Sequence, residues 1–126
     1  MKKVINTNNA PAPIGPYSQA IAAGNLIFVS GQIALTPHSV ELIMGSIEAE
    51  TIQVMQNIQS ILKEAGVDFD DIVKTSIFLK DMQDFAQVNE VYGKYFKDQF
   101  PARETIQVSG LPKNVNVEIS VTAVKS

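Results

Sequence analysis

The stretch that decides the fold lies near the end of the chain and reads Val115-Asn116-Val117-Glu118-Ile119-Ser120-Val121-Thr122-Ala123-Val124. Apolar and polar residues alternate along it, and successive side chains of a β-strand point to opposite faces of the sheet. One face of this segment is therefore apolar, while Glu118 lies on the other face among short polar residues. The pattern predicts a strand that packs one face on a core.

The segment before it is a second strand, in the run Phe100-Pro101-Ala102-Arg103-Glu104-Thr105-Ile106-Gln107-Val108. Alternation places Arg103, Thr105 and Gln107 on one face of this strand. The connection 110–114 is short enough for an antiparallel pair, so we expect Thr105 to lie near Glu118, within a residue of register.

Upstream, the residue pattern changes between the strand period and the helix period. Turn residues and apolar runs predict strands over Tyr17–Ala22, Leu26–Ser30 and Ile72–Leu79, after a proline-rich loop over 8–16. One helix should begin after Ser46 as N-cap and stop at Gly66. A second should be capped by Asp84, bury a stripe of Phe85, Val88, Tyr92, Tyr95 and Phe96, and end before Pro101.

These elements predict an α+β fold, a mixed sheet with two helices on one face. The opposite sheet face would then expose Val, Ile and Thr side chains, a surface that oligomerisation usually covers. The 126 residues, with 45% apolar and 18% charged content, fit a single domain over 1–126.

Composition also narrows the function. The formal net charge of -3 gives no broad attraction to nucleic acid, and the absence of cysteine removes thiolate chemistry and disulfides. The start Met1-Lys2-Lys3 is followed by polar residues rather than the apolar core of a signal peptide, and no run reaches membrane-spanning length. We therefore expect a cytoplasmic protein that has no membrane partner and is unlike a nucleic-acid binder.

The sequence lacks the residues that two common kinds of site require. His38 is the only histidine and lies in a loop with Pro37, where it is expected to be exposed, so a two-histidine metal site within one chain is impossible. No glycine spacing matches a phosphate-binding loop, so no nucleotide motif is present. The residues therefore offer neither a two-histidine metal site nor a nucleotide motif.

Arg103 is the first candidate for chemistry. Pro101 fixes the backbone just before it, and a planar guanidinium can bind both oxygens of a small carboxylate. The alternative is a solvated or structurally paired arginine. Glu118 could hold a water and move protons if burial raised its pKa, or it could serve as an ion-pair partner. Tyr17, Ser30 and Thr105 complete a polar group at strand ends.

Six motifs follow one another along nearly the entire chain: Ile14-Gly15-Pro16-Tyr17-Ser18-Gln19-Ala20, Phe28-Val29-Ser30-Gly31-Gln32-Ile33, Val73-Lys74-Thr75, Asp84-Phe85-Ala86-Gln87-Val88-Asn89, Pro101-Ala102-Arg103 and Leu111-Pro112-Lys113. In these motifs and their order the chain resembles the reactive intermediate deaminase family (RidA/YjgF, also called the endoribonuclease L-PSP family). The resemblance implies a chorismate-mutase-like fold and a homotrimeric barrel with clefts between subunits. It also implies hydrolysis of enamines and imines, such as 2-aminoacrylate, to 2-keto acids and ammonia without a cofactor.

The resemblance also implies roles for individual residues. Arg103 would hold the substrate carboxylate, Glu118 would position or activate water, and Thr105 could hydrogen-bond that water. The pocket would be shaped by Tyr17, Ser30, Gly31 and Asn89. Two other functions stay open: a regulator that binds 2-keto acids without turnover, and an endoribonuclease, which the acidic composition disfavours.

The chain departs from the common family pattern at four places. Thr105 stands where many members have a cysteine, which removes thiol chemistry but leaves hydrolysis led by water. Glu50 replaces a common glutamine, Val40 a frequent turn glycine, and Ser109-Gly110 an Ala-Arg pair. The last three bear on the rim of the pocket and on the choice of partner.

Overall fold

The alternating segment forms an inner strand of one mixed sheet with two helices on one face. The computed structural model describes residues 1–126. The elements are β1 Lys2–Ile5, β2 Ala20–Ala23, β3 Leu26–Gln32, α1 Ile47–Ala65, β4 Ile72–Leu79, α2 Phe85–Gly93, β5 Ala102–Gln107 and β6 Val117–Val124. The strand order is β1-β2-β3-β6-β4-β5. Only β4 and β5 run parallel. Neither helix has the length and apolar character needed to cross a membrane.

The apolar face of β6 packs in the core, as its alternation predicts. Val117, Ile119 and Ala123 are fully buried, and α1 covers them with an apolar stripe that includes Ile58 and Leu62. Burying a valine, isoleucine or leucine side chain stabilises the fold by about 1.5–3 kcal/mol each. The core therefore lies between the sheet and the helices.

Helix α1 has the predicted ends. The Ser46 hydroxyl accepts a hydrogen bond from the Ala49 N–H at 3.0 Å, which satisfies one of the free donors of the first turn. Gly66 ends the helix with φ of 81°, a left-handed conformation that favours glycine. Between β3 and α1, Val40 also has a positive φ, 55°, at the position where the family pattern has glycine.

Helix α2 differs from its prediction at its beginning and along its stripe. Asp84 makes no side-chain cap, and Asp81 instead caps a preceding 3-10 turn by accepting from the Gln83 N–H at 2.9 Å. Val88 and Tyr92 are buried as expected. Phe85 is 39% exposed, so its place in the buried stripe is wrong.

Two strand predictions are corrected. β5 does not pair with β6, because β4 lies between them and pairs with both. The physical reason is the connection through α2, which makes β4-α2-β5 a crossover unit and brings β5 parallel to β4. The edge strand β1 was not predicted, since its two lysines hide the apolar pattern.

The first strand of the predicted hairpin, β2, also starts later than expected, at Ala20 rather than Tyr17. The buried Gln19 side chain accounts for this. It accepts from the Thr7 N–H at 2.7 Å and donates to the carbonyls of Thr7 and Pro11 at 3.0 and 2.9 Å. These bonds hold the preceding segment as an ordered loop instead of a strand.

The face of the sheet opposite the helices is open and partly apolar, as predicted. Phe28 and Ile106 belong to this face and are 44% and 46% exposed, and Val4 is 57% exposed. Apolar side chains along a continuous sheet face are typical of a surface that packs against another chain.

Candidate functional site

Arg103 in β5 is held by aromatic rings and has no ionic partner. Its Cζ lies 5.2 Å from the centre of the Tyr92 ring and 5.7 Å from that of Phe85. The ion pair that the chain does form, at 3.0 Å, joins Lys74 to Glu104 on the opposite face of the sheet. Aromatic contacts fix the plane of a guanidinium and leave the N–H donors at its edge free. Arg103 is therefore ready to bind an anion, and the alternative of a structurally paired arginine is not what the structure shows.

A cavity of about 310 Å³ opens beside this guanidinium. It is lined by Asn89, Tyr92, Gly93, Phe100, Pro101 and Arg103. Its size suits a small metabolite. Asn89, predicted from the family resemblance to shape the pocket, thus lies with Arg103.

The Tyr92 ring supports the Arg103 guanidinium and is itself held in place. Its hydroxyl donates to the Thr75 Oγ1 at 2.9 Å. Burial raises the pKa of the Tyr92 phenol, against the opposing effects of the Thr75 hydrogen bond and the Arg103 charge. The phenol is therefore neutral near pH 7 and holds the ring in place. Sequence reasoning assigned Tyr92 to the core, and its contact with Arg103 was missed. The spacing of Phe85, Asn89 and Tyr92, one face of a helix, was the available signal.

Thr105 lies on the same face of β5 as Arg103, two residues further on. Its hydroxyl oxygen is buried and has no hydrogen-bond partner in the chain. A buried hydroxyl without a partner costs about 1–3 kcal/mol. The chain itself leaves the hydrogen-bonding capacity of this hydroxyl unused.

Glu118 in β6 lies over the backbone of Gly31. A Cβ added to Gly31 would come within 2.8 Å of the Glu118 Cδ and 3.0 Å of its Cγ, so glycine leaves the space that this side chain fills. The pairing of β3 with β6 shifts between Val29 and Gln32, which places Gly31 in an irregular stretch. Partial burial raises the pKa of the Glu118 carboxyl above its ordinary value of 4.5. No basic side chain pairs with it, against the ion-pair alternative.

Ser30 and Tyr17 lie beside Gly31. The Ser30 hydroxyl donates to the Ser18 carbonyl at 2.6 Å, and its backbone N–H donates to the Gln19 carbonyl at 2.9 Å. The Tyr17 hydroxyl accepts from the Ile14 N–H at 3.3 Å, and its side chain is 48% exposed. Tyr17 and Gly31 share a small cavity of about 30 Å³.

The structure therefore divides the predicted site residues into two groups. The first group is Arg103, Thr105 and Asn89, and the second group is Glu118, Gly31, Ser30 and Tyr17. Arg103 pairs across the sheet with Thr75, on the helix-covered face, whereas Glu118 pairs with Phe78 on the open face. The expected closeness of Thr105 and Glu118 is wrong, since they lie on opposite faces and two strands apart. One chain does not bring the two groups together.

Metal-binding residues are not grouped anywhere in the chain. No cluster of three or more His, Asp or Glu side chains is arranged to hold an ion. The polar groups available to a ligand are thus the guanidinium, the amide, the hydroxyls and the carboxylate described above.

Comparison with known proteins identifies the family. Residues 7–125 match the family model described as endoribonuclease L-PSP. A RutC family protein of Pyrococcus horikoshii is 52% identical over 99% of both chains. The 2-iminobutanoate/2-iminopropanoate deaminase of Mus musculus is 47% identical over 99% of this chain and 93% of its own.

Solved structures agree with this similarity. The crystal structure of a Yersinia pestis protein of the conserved Rid family, whose function is described as unknown, superposes with a TM-score of 0.96 at 48% identity. The alignment covers 98% of this chain and 99% of that one. Near-complete coverage at this identity leaves no separate part of the chain to be explained by another family. The chain belongs to the Rid family, the reactive intermediate deaminases whose family model is described as endoribonuclease L-PSP.

Proposed function

We propose that this protein is a hydrolytic deaminase that converts 2-imino acids and their enamine tautomers, of the 2-aminoacrylate type, to 2-keto acids and ammonia. The observation that carries the proposal is the unpaired Arg103 guanidinium, held on two aromatic rings beside a cavity of about 310 Å³. Such a group suits the carboxylate common to all these substrates. The deaminase name of the mouse relative supports the same chemistry.

The complete site of this proposal lies between two subunits of a homotrimer. Arg103 and its group come from one subunit, and Glu118 and its group come from the next. Two observations support this arrangement: the two groups lie on opposite faces of one sheet, and the face that carries Glu118 exposes apolar side chains. Packing the open faces of three sheets together would bury those side chains and bring each Glu118 toward a neighbouring edge.

In the proposed reaction the Arg103 edge binds both carboxylate oxygens of the imine. The Glu118 carboxylate accepts a proton from a water as the water oxygen bonds to C2, and the Thr105 hydroxyl orients that water. That proton passes to the nitrogen and gives a carbinolamine, in which C2 carries a hydroxyl and an amino group. Glu118 then takes the proton of this hydroxyl and passes it to the amino group, so that the C–N bond breaks, ammonia leaves and a C=O bond forms. An enamine first takes a proton at C3 to become the imine. Because imines already hydrolyse in water, orientation and modest proton transfer are sufficient.

The direct experiment generates 2-aminoacrylate with a dehydratase and follows keto-acid release. Wild type should accelerate release, and Arg103→Ala should lose on the order of 10²-fold in kcat/KM, because charge-assisted hydrogen bonds contribute about 1.5–3 kcal/mol. Arg103→Lys keeps the charge but loses the fork, so it should lie between the two.

Two outcomes would reject the proposal: no acceleration by wild type, or full activity of Arg103→Ala. If wild type shows no turnover, calorimetry with pyruvate tests the alternative of a regulator that binds 2-keto acids. Binding that Arg103→Ala abolishes, without turnover by wild type, would instead establish a metabolite-binding regulator.

A further inference from the structure

Glu50 is a buried carboxylate that the proposed reaction does not use. It lies in the first turn of α1, is 0% exposed, and has no basic partner. Instead it accepts hydrogen bonds from the start of β6. Its Oε2 accepts from the Asn116 N–H at 2.8 Å and the Val117 N–H at 3.1 Å, and its Oε1 accepts from the Asn116 Nδ2 at 2.9 Å.

The geometry of these bonds fixes a bend. Consecutive N–H groups of an extended strand point to opposite sides, yet those of Asn116 and Val117 reach the same oxygen. They can do so only because the chain bends at Asn116 as it enters β6. On the other side the Asn116 carbonyl accepts from the Lys80 N–H at 3.0 Å. The bend is therefore held by β4 on one side and by Glu50 on the other.

β3, the other neighbour of β6, does not support the bend. The pairing of β3 with β6 reaches only as far as Gln32 and Ile119. Asn116 and Val117 lie beyond that point, and Glu118 lies between them and the paired segment. The Glu50 carboxylate thus provides acceptors at an edge where β3 provides none.

We propose that Glu50 is the positioning residue for Glu118: it holds the bend through which β6 presents the Glu118 carboxylate over Gly31. The effect on rate rests on the proposed deaminase function, whereas the effect on the bend does not. Glu50 hydrogen-bonds Asn116 and Val117 and none of the groups around Arg103, so it should control the chemical step rather than the capture of the substrate carboxylate.

The test exchanges the carboxylate of Glu50 and the amide of Asn116 between the two positions. Glu50→Ala leaves one buried donor of Val117 and two partly buried donors of Asn116 without this acceptor. It should lower kcat by about 10- to 100-fold, since a displacement near 1 Å can cost that much, while KM changes less than about twofold. Asn116→Asp places two carboxylates face to face and should also lower kcat. In Glu50→Gln with Asn116→Asp, the new amide donates to the new carboxylate and its oxygen still accepts from the two backbone N–H groups. This double variant should recover most of the lost kcat.

Leu62→Ala is the matched control for a loss of stability. Leu62 is fully buried on the same helix, three turns away from Glu50, and its truncation should lower the melting temperature while kcat per folded protein stays unchanged. The proposal is rejected if Glu50→Ala lowers kcat no more than Leu62→Ala does at a temperature where both are folded. Failure of the exchanged pair to recover kcat would reject it as well.

Hydrogen exchange separates this inference from the proposed function. If wild type does not turn over imines, the deaminase proposal fails, but the Asn116 and Val117 amides should still exchange faster in Glu50→Ala and return toward wild-type protection in the exchanged pair. Unchanged protection of these two amides in Glu50→Ala would overturn the positioning role whatever the activity.

Discussion

Two inactive variants of this protein should restore activity when they are assembled together. Arg103→Ala removes one half of the proposed cleft and leaves Glu118 intact, and Glu118→Ala does the reverse. Each variant alone should keep no more than about a hundredth of wild-type activity, because every cleft lacks the anchor or the base. In a mixed trimer, some clefts combine the intact half of one chain with the intact half of its neighbour.

Within one chain, Arg103 and Glu118 are too far apart to contact the same small acid. β4 separates β5 from β6, so the strands that carry Arg103 and Glu118 lie about 10 Å apart, two inter-strand spacings. The two side chains also leave the sheet on opposite faces. A three-carbon substrate cannot reach hydrogen-bonding distance of both.

The expected recovery follows from random assembly of equal amounts. A cleft is complete when its Arg103 comes from a Glu118→Ala chain and its Glu118 from an Arg103→Ala chain, each with a probability of one half. About one quarter of the clefts are then complete, and the mixture should show about 25% of wild-type activity. The assay unfolds and refolds the mixture, or coexpresses the variants, and follows keto-acid release. Mixing without refolding is the blank.

A second mixture shows what would refute the reasoning. Wild type assembled with the variant that carries both substitutions should also give about one quarter of full activity for an inter-subunit site, but one half if each chain holds its own site. The whole site would lie within one chain if the mixture of the two single variants showed only background activity and the mixture of wild type with the double variant showed one half of full activity. The inter-subunit proposal would then be wrong.

Three further predictions concern the site itself. Gly31→Ala should displace the Glu118 side chain and lower kcat on the order of 10²-fold, whereas Gly45→Ala, where an added Cβ meets nothing within 4 Å, should leave kinetics unchanged. Thr105→Val removes a buried hydroxyl without a partner, so thermal unfolding should shift upward by the equivalent of about 1 kcal/mol while kcat/KM falls; lower stability would show that the hydroxyl is bonded. Burial raises the pKa of Glu118 above 4.5. The contribution of the protonated Glu118 side chain to the free energy of unfolding is therefore present below pH 4.5 and is lost as pH rises through the folded pKa. Over the same pH range kcat/KM should rise, because the carboxylate that acts as the base forms. Glu118→Gln should abolish both dependences in pH-dependent unfolding and kinetics.

Helix α1 was predictable because its ends are decided by neighbouring residues. The Ser46 hydroxyl bonds the N–H three residues on, and Gly66 takes its left-handed conformation where the helix stops. The order of the strands was not predictable in the same way. A short connection favours an antiparallel pair, yet β4 lies between β5 and β6. Pairing between distant segments depends on contacts that no local pattern contains.

The candidate site shows the same division between local and distant information. Alternation correctly placed Arg103 with Thr105, and it correctly placed Glu118 opposite the buried residues of β6. It could not relate the face of one strand to the face of another, because that relation depends on strand order and on a register in which one residue reverses the face. In the actual order, Arg103 shares its face with Thr75 and Glu118 shares its face with Phe78. This difference of face carries information of its own: if both residues act on one small acid, the second must come from another chain. The predicted partner subunit thus follows from the position of β4 as much as from the exposed apolar face.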